Sequence, residues 1–241
     1  MLSPEEYRER LNERLTVIHR RDAVPTTTDA LLLAAFLEKA DTACELGAGG
    51  GLISLLAAAR GRIGHGDLVE REAVLHALAV RNIRENGLEG RLTAHLADVR
   101  EFDAGRRYEA VFANPPYRRA GEGRPAAAPL LDVARFERAG TIGDFCAAAA
   151  RLLSPTGSVS LVFPTARRDD LWQALRAADL HPTEAVTVFP YPEGVPRLFL
   201  VRAGRIPRAL CERTLTLTRD KNDRRPTEAA EALYRDGVLL T

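Results

Sequence analysis

Short, nearly continuous apolar runs alternate along the chain with longer segments whose apolar residues recur every three or four positions. The runs predict buried strands at Thr42–Leu46, Gly66–Glu70, Leu92–Leu96, Tyr108–Ala113, Ser158–Phe163, Glu184–Phe189 and Arg197–Val201. The segments between them predict helices over Leu52–Arg60, Arg71–Asn86, Ile142–Leu153 and Asp169–Ala178, with Asn86-Gly87 as a helix stop. Strands alternating with helices at this spacing imply an α/β protein with a mostly parallel, doubly wound sheet. A bend without a helix, Pro190 to Pro196, joins the last two strands. They should pair antiparallel, because a parallel crossover needs a dozen or more residues.

Before this core, Ser3 to Leu15 reads as a helix with Ser3 as N-cap and Pro4 at its first position, followed by a short segment at Val17 and Ile18. Thr28-Asp29 is expected to cap a further helix, Ala30 to Lys39. After the core, Thr214–Thr218 is a possible strand and Thr227–Tyr234 a short helix. Residues 1–241 therefore read as one domain: an N-terminal helical extension (1–40), a core (41–203) and a basic C-terminal extension (204–241).

Composition changes this picture little. The chain has 241 residues, 46% hydrophobic and 28% charged, with a net charge of +1, so no overall polycation argues for a nucleic-acid partner. Charge is uneven, however: Arg197 to Arg225 holds nine basic residues against three acids. Nearly all basic residues are arginine, whose planar guanidinium binds phosphates and stacks on bases. Cys44, Cys146 and Cys211 lie far apart, as expected for a reducing cytoplasm, and the five histidines have no ligand spacing, so no metal site is expected. No apolar run approaches the roughly 20 residues that span a bilayer. A cytoplasmic protein without a membrane partner is expected, as a monomer.

The chemistry concentrates in Asn114-Pro115-Pro116-Tyr117, directly after a predicted strand. Pro115 and Pro116 lack an N–H and have fixed φ, which stiffens the turn and leaves carbonyls free to accept. The Asn114 oxygen and the Pro115 carbonyl can each take one N–H of a planar –NH2 group, and Tyr117 can stack on the ring that carries it. A second motif, Glu45-Leu46-Gly47-Ala48-Gly49-Gly50-Gly51, joins the first core strand to its helix. It is not the dinucleotide fingerprint, because the sixth position counted from Gly47 is Leu52. An acid at this strand end disfavours a pyrophosphate and favours a cation such as the sulfonium and ammonium of S-adenosylmethionine. Glu70 ends the second strand, placed to accept ribose hydroxyls, and Asp98 follows the third, placed to accept from adenine. Four strand ends thus carry polar groups on one rim of the sheet.

On these motifs, together with Thr28 to Leu33, Arg81 to Leu88, Ala134-Arg135 and Ala149 to Leu153, the chain resembles the class I S-adenosylmethionine-dependent methyltransferases with an Asn-Pro-Pro-Tyr motif. Within them it is most similar to bacterial tRNA(Val) adenine-N6-methyltransferases. The resemblance implies a seven-stranded Rossmann-like methyltransferase fold, mostly parallel with the last strand antiparallel, and helices on both faces. It implies cofactor contacts at Asp29, Glu45, Gly47, Gly49, Gly51, Glu70, Asp98 and Asn114, and catalytic roles for Asn114, Pro115, Pro116 and Tyr117. The expected substrate is RNA, namely tRNA(Val), methylated on the adenine 3′ of the anticodon. Tyr117, Arg118, Arg119, Arg124, Arg135 and Arg197, with the basic run to Arg225, are the expected substrate contacts. Two alternatives remain at this point: a glutamine-N5 methyltransferase acting on a release-factor-type protein, and a catalytically silent RNA-binding module.

Overall fold

The computed structural model describes residues 2–13, 15–117 and 140–238. Its core is one sheet of eight strands: β3 (Ala40–Leu46), β4 (Ile63–Glu70), β5 (Leu92–Leu96), β6 (Tyr108–Ala113), β7 (Leu153–Pro164), β8 (His181–Phe189), β9 (Leu198–Gly204) and β10 (Cys211–Thr216). Their spatial order is β10-β8-β9-β7-β6-β3-β4-β5. All neighbours pair parallel except β9, which runs against both β7 and β8. The bend without a helix accounts for that reversal. Strand order switches direction between β3 and β6, and the carboxyl ends of those two strands carry the glycine turn and Asn114.

Period-two alternation sorts side chains to the two faces. Ala43, Phe112, Val162 and Leu200 pack with α1 (Thr28–Phe36), α2 (Leu52–Ala59), α3 (Ala73–Glu85) and the terminal α6 (Glu228–Asp236). Cys44, Leu46, Val111, Leu161 and Val201 pack with α4 (Ile142–Leu152) and α5 (Arg168–Ala177). A sheet apolar on both faces needs helices on both, and that two-sided burial is the Rossmann-like arrangement. No helix among the described residues is long and apolar enough to cross a membrane.

Three expectations are corrected. The first half of the N-terminal extension is not helical: in place of the expected helix over Ser3 to Leu15, Glu6–Arg10 (β1) and Thr16–Arg20 (β2) form an antiparallel hairpin. The Glu, Arg and Leu of Ser3 to Leu15 are good helix formers, but burial of Val17, Ile18 and His19 against α3 overrides that preference. The sheet has an eighth strand, because the tail segment pairs with β8, two to three residues earlier than expected; the reversed strand is the penultimate one. Finally, the cap of α1 is Thr27, whose hydroxyl accepts from the Ala30 amide, while Thr28 already lies in the helix.

Candidate active site

The site is built by three turns leaving the carboxyl rim. After β3, Gly47 and Gly49 adopt left-handed φ of 69° and 55°, which lets the chain fold back over the strand ends. The Gly47 and Ala48 amides both donate to the Val69 carbonyl at 2.9 and 3.0 Å, which pins this turn to β4. Gly51, at φ 83°, caps the start of α2, and a methyl there would come 2.9 Å from Leu68 Cδ2. After β6, Pro115 and Pro116 are buried and carry the chain away from Asn114. The third turn, Thr165–Arg167, follows β7.

Between the first two turns and the start of α1 lies a cleft of about 580 Å³, within the usual range for small-molecule sites. Asp29, Glu45, Gly47, Gly49, Asn114, Pro115 and Tyr117 line it. Sequence reasoning missed several further walls: Val24, Pro25, Thr27, Ala30, Leu52 and Ile53. Thr27 lies one residue before the cap expected at Thr28-Asp29, and nothing in the pattern marks Val24 or Pro25. Gly51, Glu70, Asp98 and Pro116 do not line the cleft; Gly51 shapes α2 and Pro116 stiffens the turn.

Glu45 is 2% exposed, and its Oε2 accepts from the Ser54 amide at 3.0 Å and the Ser54 hydroxyl at 2.5 Å. Burial pushes its carboxyl up to about 8, against the pull of those two bonds, with Glu70 adding repulsion. Among the described residues no cationic side chain pairs with Glu45, so a positively charged ligand in the cleft would favour its ionised form. Glu70 sits one bond behind the cleft wall. Its oxygens accept from the Gly49 and Glu72 amides, both at 2.8 Å, and burial raises its pKa. Asp98 is more engaged than expected. Arg100 forks onto it at 2.8 and 2.6 Å, Arg71 stands at 3.5 Å, and the bond to Arg100 holds the carboxyl down at about 2.

At the Asn-Pro-Pro-Tyr turn, the Tyr117 hydroxyl lies 2.5 Å from Asn114 Oδ1 and 2.9 Å from Asp29 Oδ2. Burial first, and the neighbouring Asp29 second, push this phenol well above its ordinary value. Its ring meets Phe163 edge-on at 5.9 Å. These contacts join Asp29, Asn114 and Tyr117 into one cluster at the cleft wall.

The hairpin is tied to the glycine turn through α3. Asn82, fully buried on α3, accepts from the Ile18 amide at 2.7 Å and donates to the Ile18 carbonyl at 3.1 Å and the Gly50 carbonyl at 2.9 Å. Asn86 repeats the pattern on Thr16, at 3.0 and 2.8 Å. Four residues of helix rise about 6 Å, close to two residues of strand at about 6.6 Å, so the two amides act as an extra strand along β2.

The basic residues disperse. Arg197 stays on the catalytic rim, where its carbonyl accepts from the Thr165 amide. Because β9 runs backwards, Arg202, Arg205, Arg208 and Arg213 fall at the opposite rim, around a separate depression, where Arg202 pairs with Glu184. That part of the run therefore does not line the cleft that holds Asn114. Arg118, Arg119, Arg124 and Arg135 lie outside the described residues.

A family model described as the methyltransferase small domain matches residues 21–175. The chain belongs to that family. It is 33% identical over 199 residues to a tRNA1(Val) (adenine(37)-N6)-methyltransferase of Aeromonas hydrophila, covering 78% of this chain and 80% of the relative. Among solved structures it is similar to a predicted O-methyltransferase from Agrobacterium tumefaciens, with a TM-score of 0.71 and 21% identity over 88% of this chain and 98% of the other. It is also similar to a geranyl diphosphate C-methyltransferase from Streptomyces coelicolor solved with S-adenosyl-L-homocysteine, at a TM-score of 0.53 and 15% identity over 73% and 79%. These structures support the fold alone. The protein is an S-adenosylmethionine-dependent methyltransferase, and the buried Glu45 carboxyl beside the glycine turn, which a bound cation would favour in its ionised form, fits that cofactor.

Proposed function

We propose that the protein methylates the exocyclic N6 of an adenine in RNA, with the adenine 3′ of the anticodon of tRNA(Val) as its substrate. The observation that carries this reading is that Asn114, Pro115 and Tyr117 line the same cleft as Glu45 and the glycine turn. The name of the Aeromonas relative supports the choice of acceptor. Glu45, Gly47 and Gly49 would hold the cofactor, with Glu70 behind them. The chemistry S-adenosylmethionine supplies is a methyl group already activated on a sulfonium, so no protein nucleophile is required.

The chain's own contribution is positioning, worth about 7–11 kcal/mol in well-oriented systems. The Asn114 oxygen and the Pro115 carbonyl accept the two amino hydrogens, which leaves the nitrogen lone pair free toward the cofactor. In the structure the Tyr117 phenol occupies that Asn114 oxygen. A phenol has one proton, and the Asp29 carboxylate is the stronger, charged acceptor. A shift of the hydroxyl toward Asp29 therefore frees Asn114 for the incoming base. With its pKa raised, Tyr117 keeps its proton and serves for binding, not as a base. Turning the adenine out of its stack costs a few kcal/mol, and stacking on Tyr117 returns about 1–3 kcal/mol.

The test is transfer of labelled methyl from S-adenosylmethionine to unmodified tRNA, followed by nucleoside mass spectrometry. N6-methyladenosine is expected in tRNA(Val), and Asn114→Ala should lower the rate by about 100-fold or more, in line with loss of an orienting group. A labelled acceptor that survives nuclease but not protease would defeat the RNA assignment. Full activity in Asn114→Ala would defeat the clamp.

A further inference from the structure

Neither the motifs nor the cleft walls include Arg167, yet it is wired into the catalytic turn. It ends the short turn Thr165–Arg167 after β7, and its side chain is 15% exposed. Its Nη1 donates to the Tyr117 carbonyl at 2.8 Å, across 50 residues of sequence. Its Nε donates to Asp170 Oδ2 at 2.8 Å, which fixes the direction of the guanidinium plane. The guanidinium carbon lies 5.3 Å from the centre of the Phe163 ring, and Phe163 is the ring that meets Tyr117 edge-on. The turn bearing Arg167 is itself tied down: the Thr165 amide donates to the Arg197 carbonyl at 3.0 Å and the Thr165 hydroxyl to the Pro196 carbonyl at 2.5 Å.

One guanidinium thus fixes the backbone of Tyr117 directly and braces the aromatic neighbour of its ring. We propose that Arg167 is a positioning residue for methyl transfer, locking the Asn114–Tyr117 turn from behind so that the phenol moves between Asn114 and Asp29 without displacing the turn. This rests on the adenine-N6 reading for its kinetic consequence but not for its structural one. A planar, always charged fork suits the task better than lysine, whose single point charge cannot serve Asp170 and the Tyr117 carbonyl in one plane. The competing role for a rim arginine is a phosphate contact, which acts on RNA affinity instead.

Steady-state methylation of tRNA by Arg167→Ala and Arg167→Lys separates the two roles. Positioning predicts kcat reduced about tenfold or more at saturating RNA, with KM for RNA and cofactor affinity within about threefold, and partial recovery in the lysine variant. In a Tyr117→Ala background the loss from Arg167→Ala should shrink to less than about threefold, since residues acting through one another are not additive. An RNA KM that rises steeply with salt while kcat is kept, or full additivity with Tyr117→Ala, overturns the proposal. If the alanine variant fails to fold, the lysine variant decides by the same kcat-against-KM criterion. Hydrogen exchange of the peptide holding the Asn114 and Tyr117 amides gives a readout free of the substrate. Arg167→Ala should lower its protection about tenfold or more, and unchanged protection refutes the lock. Wild-type protein that methylates no RNA refutes the functional reading alone, and the exchange experiment then decides the lock.

Discussion

Removing the Asn82 carboxamide should loosen the hairpin and the cofactor turn together. In Asn82→Ala, the Ile18 amide, the Ile18 carbonyl and the Gly50 carbonyl lose the partner described above, at a side chain with no solvent exposure. Each buried polar group left unmade costs about 1–3 kcal/mol. A water entering the vacated polar space recovers part of that, so a net loss of about 3 kcal/mol is expected. For a chain of this size that lowers Tm by about 6–12 °C. The same energy corresponds to about a 100-fold rise in hairpin opening, read as faster exchange of the Ile18 amide. Because β2 leads into Val24, Pro25 and Thr27 at the cleft, calorimetry should also show weaker S-adenosylmethionine binding. Asn82→Leu, which leaves no room for water, should be worse than alanine. Asn86→Ala should cost no more than about 1 kcal/mol, since Thr16 is half-exposed and water can replace the amide. An Asn82→Ala protein with unchanged Ile18 exchange and Tm would refute the surrogate-strand account.

Three further outcomes are expected. The Glu45 carboxyl is raised to about 8, so a cation that binds its ionised form should expel a proton below that pH. S-adenosylmethionine affinity should then rise with pH up to about 8, a trend that calorimetry in buffers of different ionisation heat measures and that Glu45→Gln should flatten; binding without proton release at pH 6.5 would contradict it. The sign for folding is the opposite, since the raised folded pKa of Glu45 means stability present at low pH and lost as pH rises through it, most visibly without cofactor. At Asp67, burial pushes the carboxyl up, but bonds from Arg106, Tyr108 and His95 together outweigh it and hold the pKa below its ordinary value. Asp67→Ala should cost about 2–3 kcal/mol at neutral pH, chiefly through the orphaned Tyr108 hydroxyl. Denaturant titrations should show that cost shrinking as pH falls below about 4, and a constant cost would refute the linkage. Lastly, Gly51→Ala should destabilise more than Gly61→Ala: both have left-handed φ, but only the first would press a methyl against Leu68. Equal losses in chemical denaturation would show that backbone strain alone decides.

The strands and helices of the core, and the carboxyl rim that bears Glu45, Glu70 and Asn114, could be read from sequence because their periodicity and their Gly and Pro residues are local properties. Asn-Pro-Pro-Tyr was legible for the same reason: two prolines stiffen a turn whatever surrounds it. The hairpin was not legible, because β2 is held by Asn82 and Asn86, more than 60 residues away, and the charged residues of β1 find partners on α3 in Arg81 and Glu85. Nor could the chain alone show that Tyr117 holds Asn114 and Asp29 in its resting state, that Arg100 takes up Asp98, or that a reversed β9 sends four arginines to the far rim. Each depends on distances between groups remote in sequence, and only the packed sheet sets those distances.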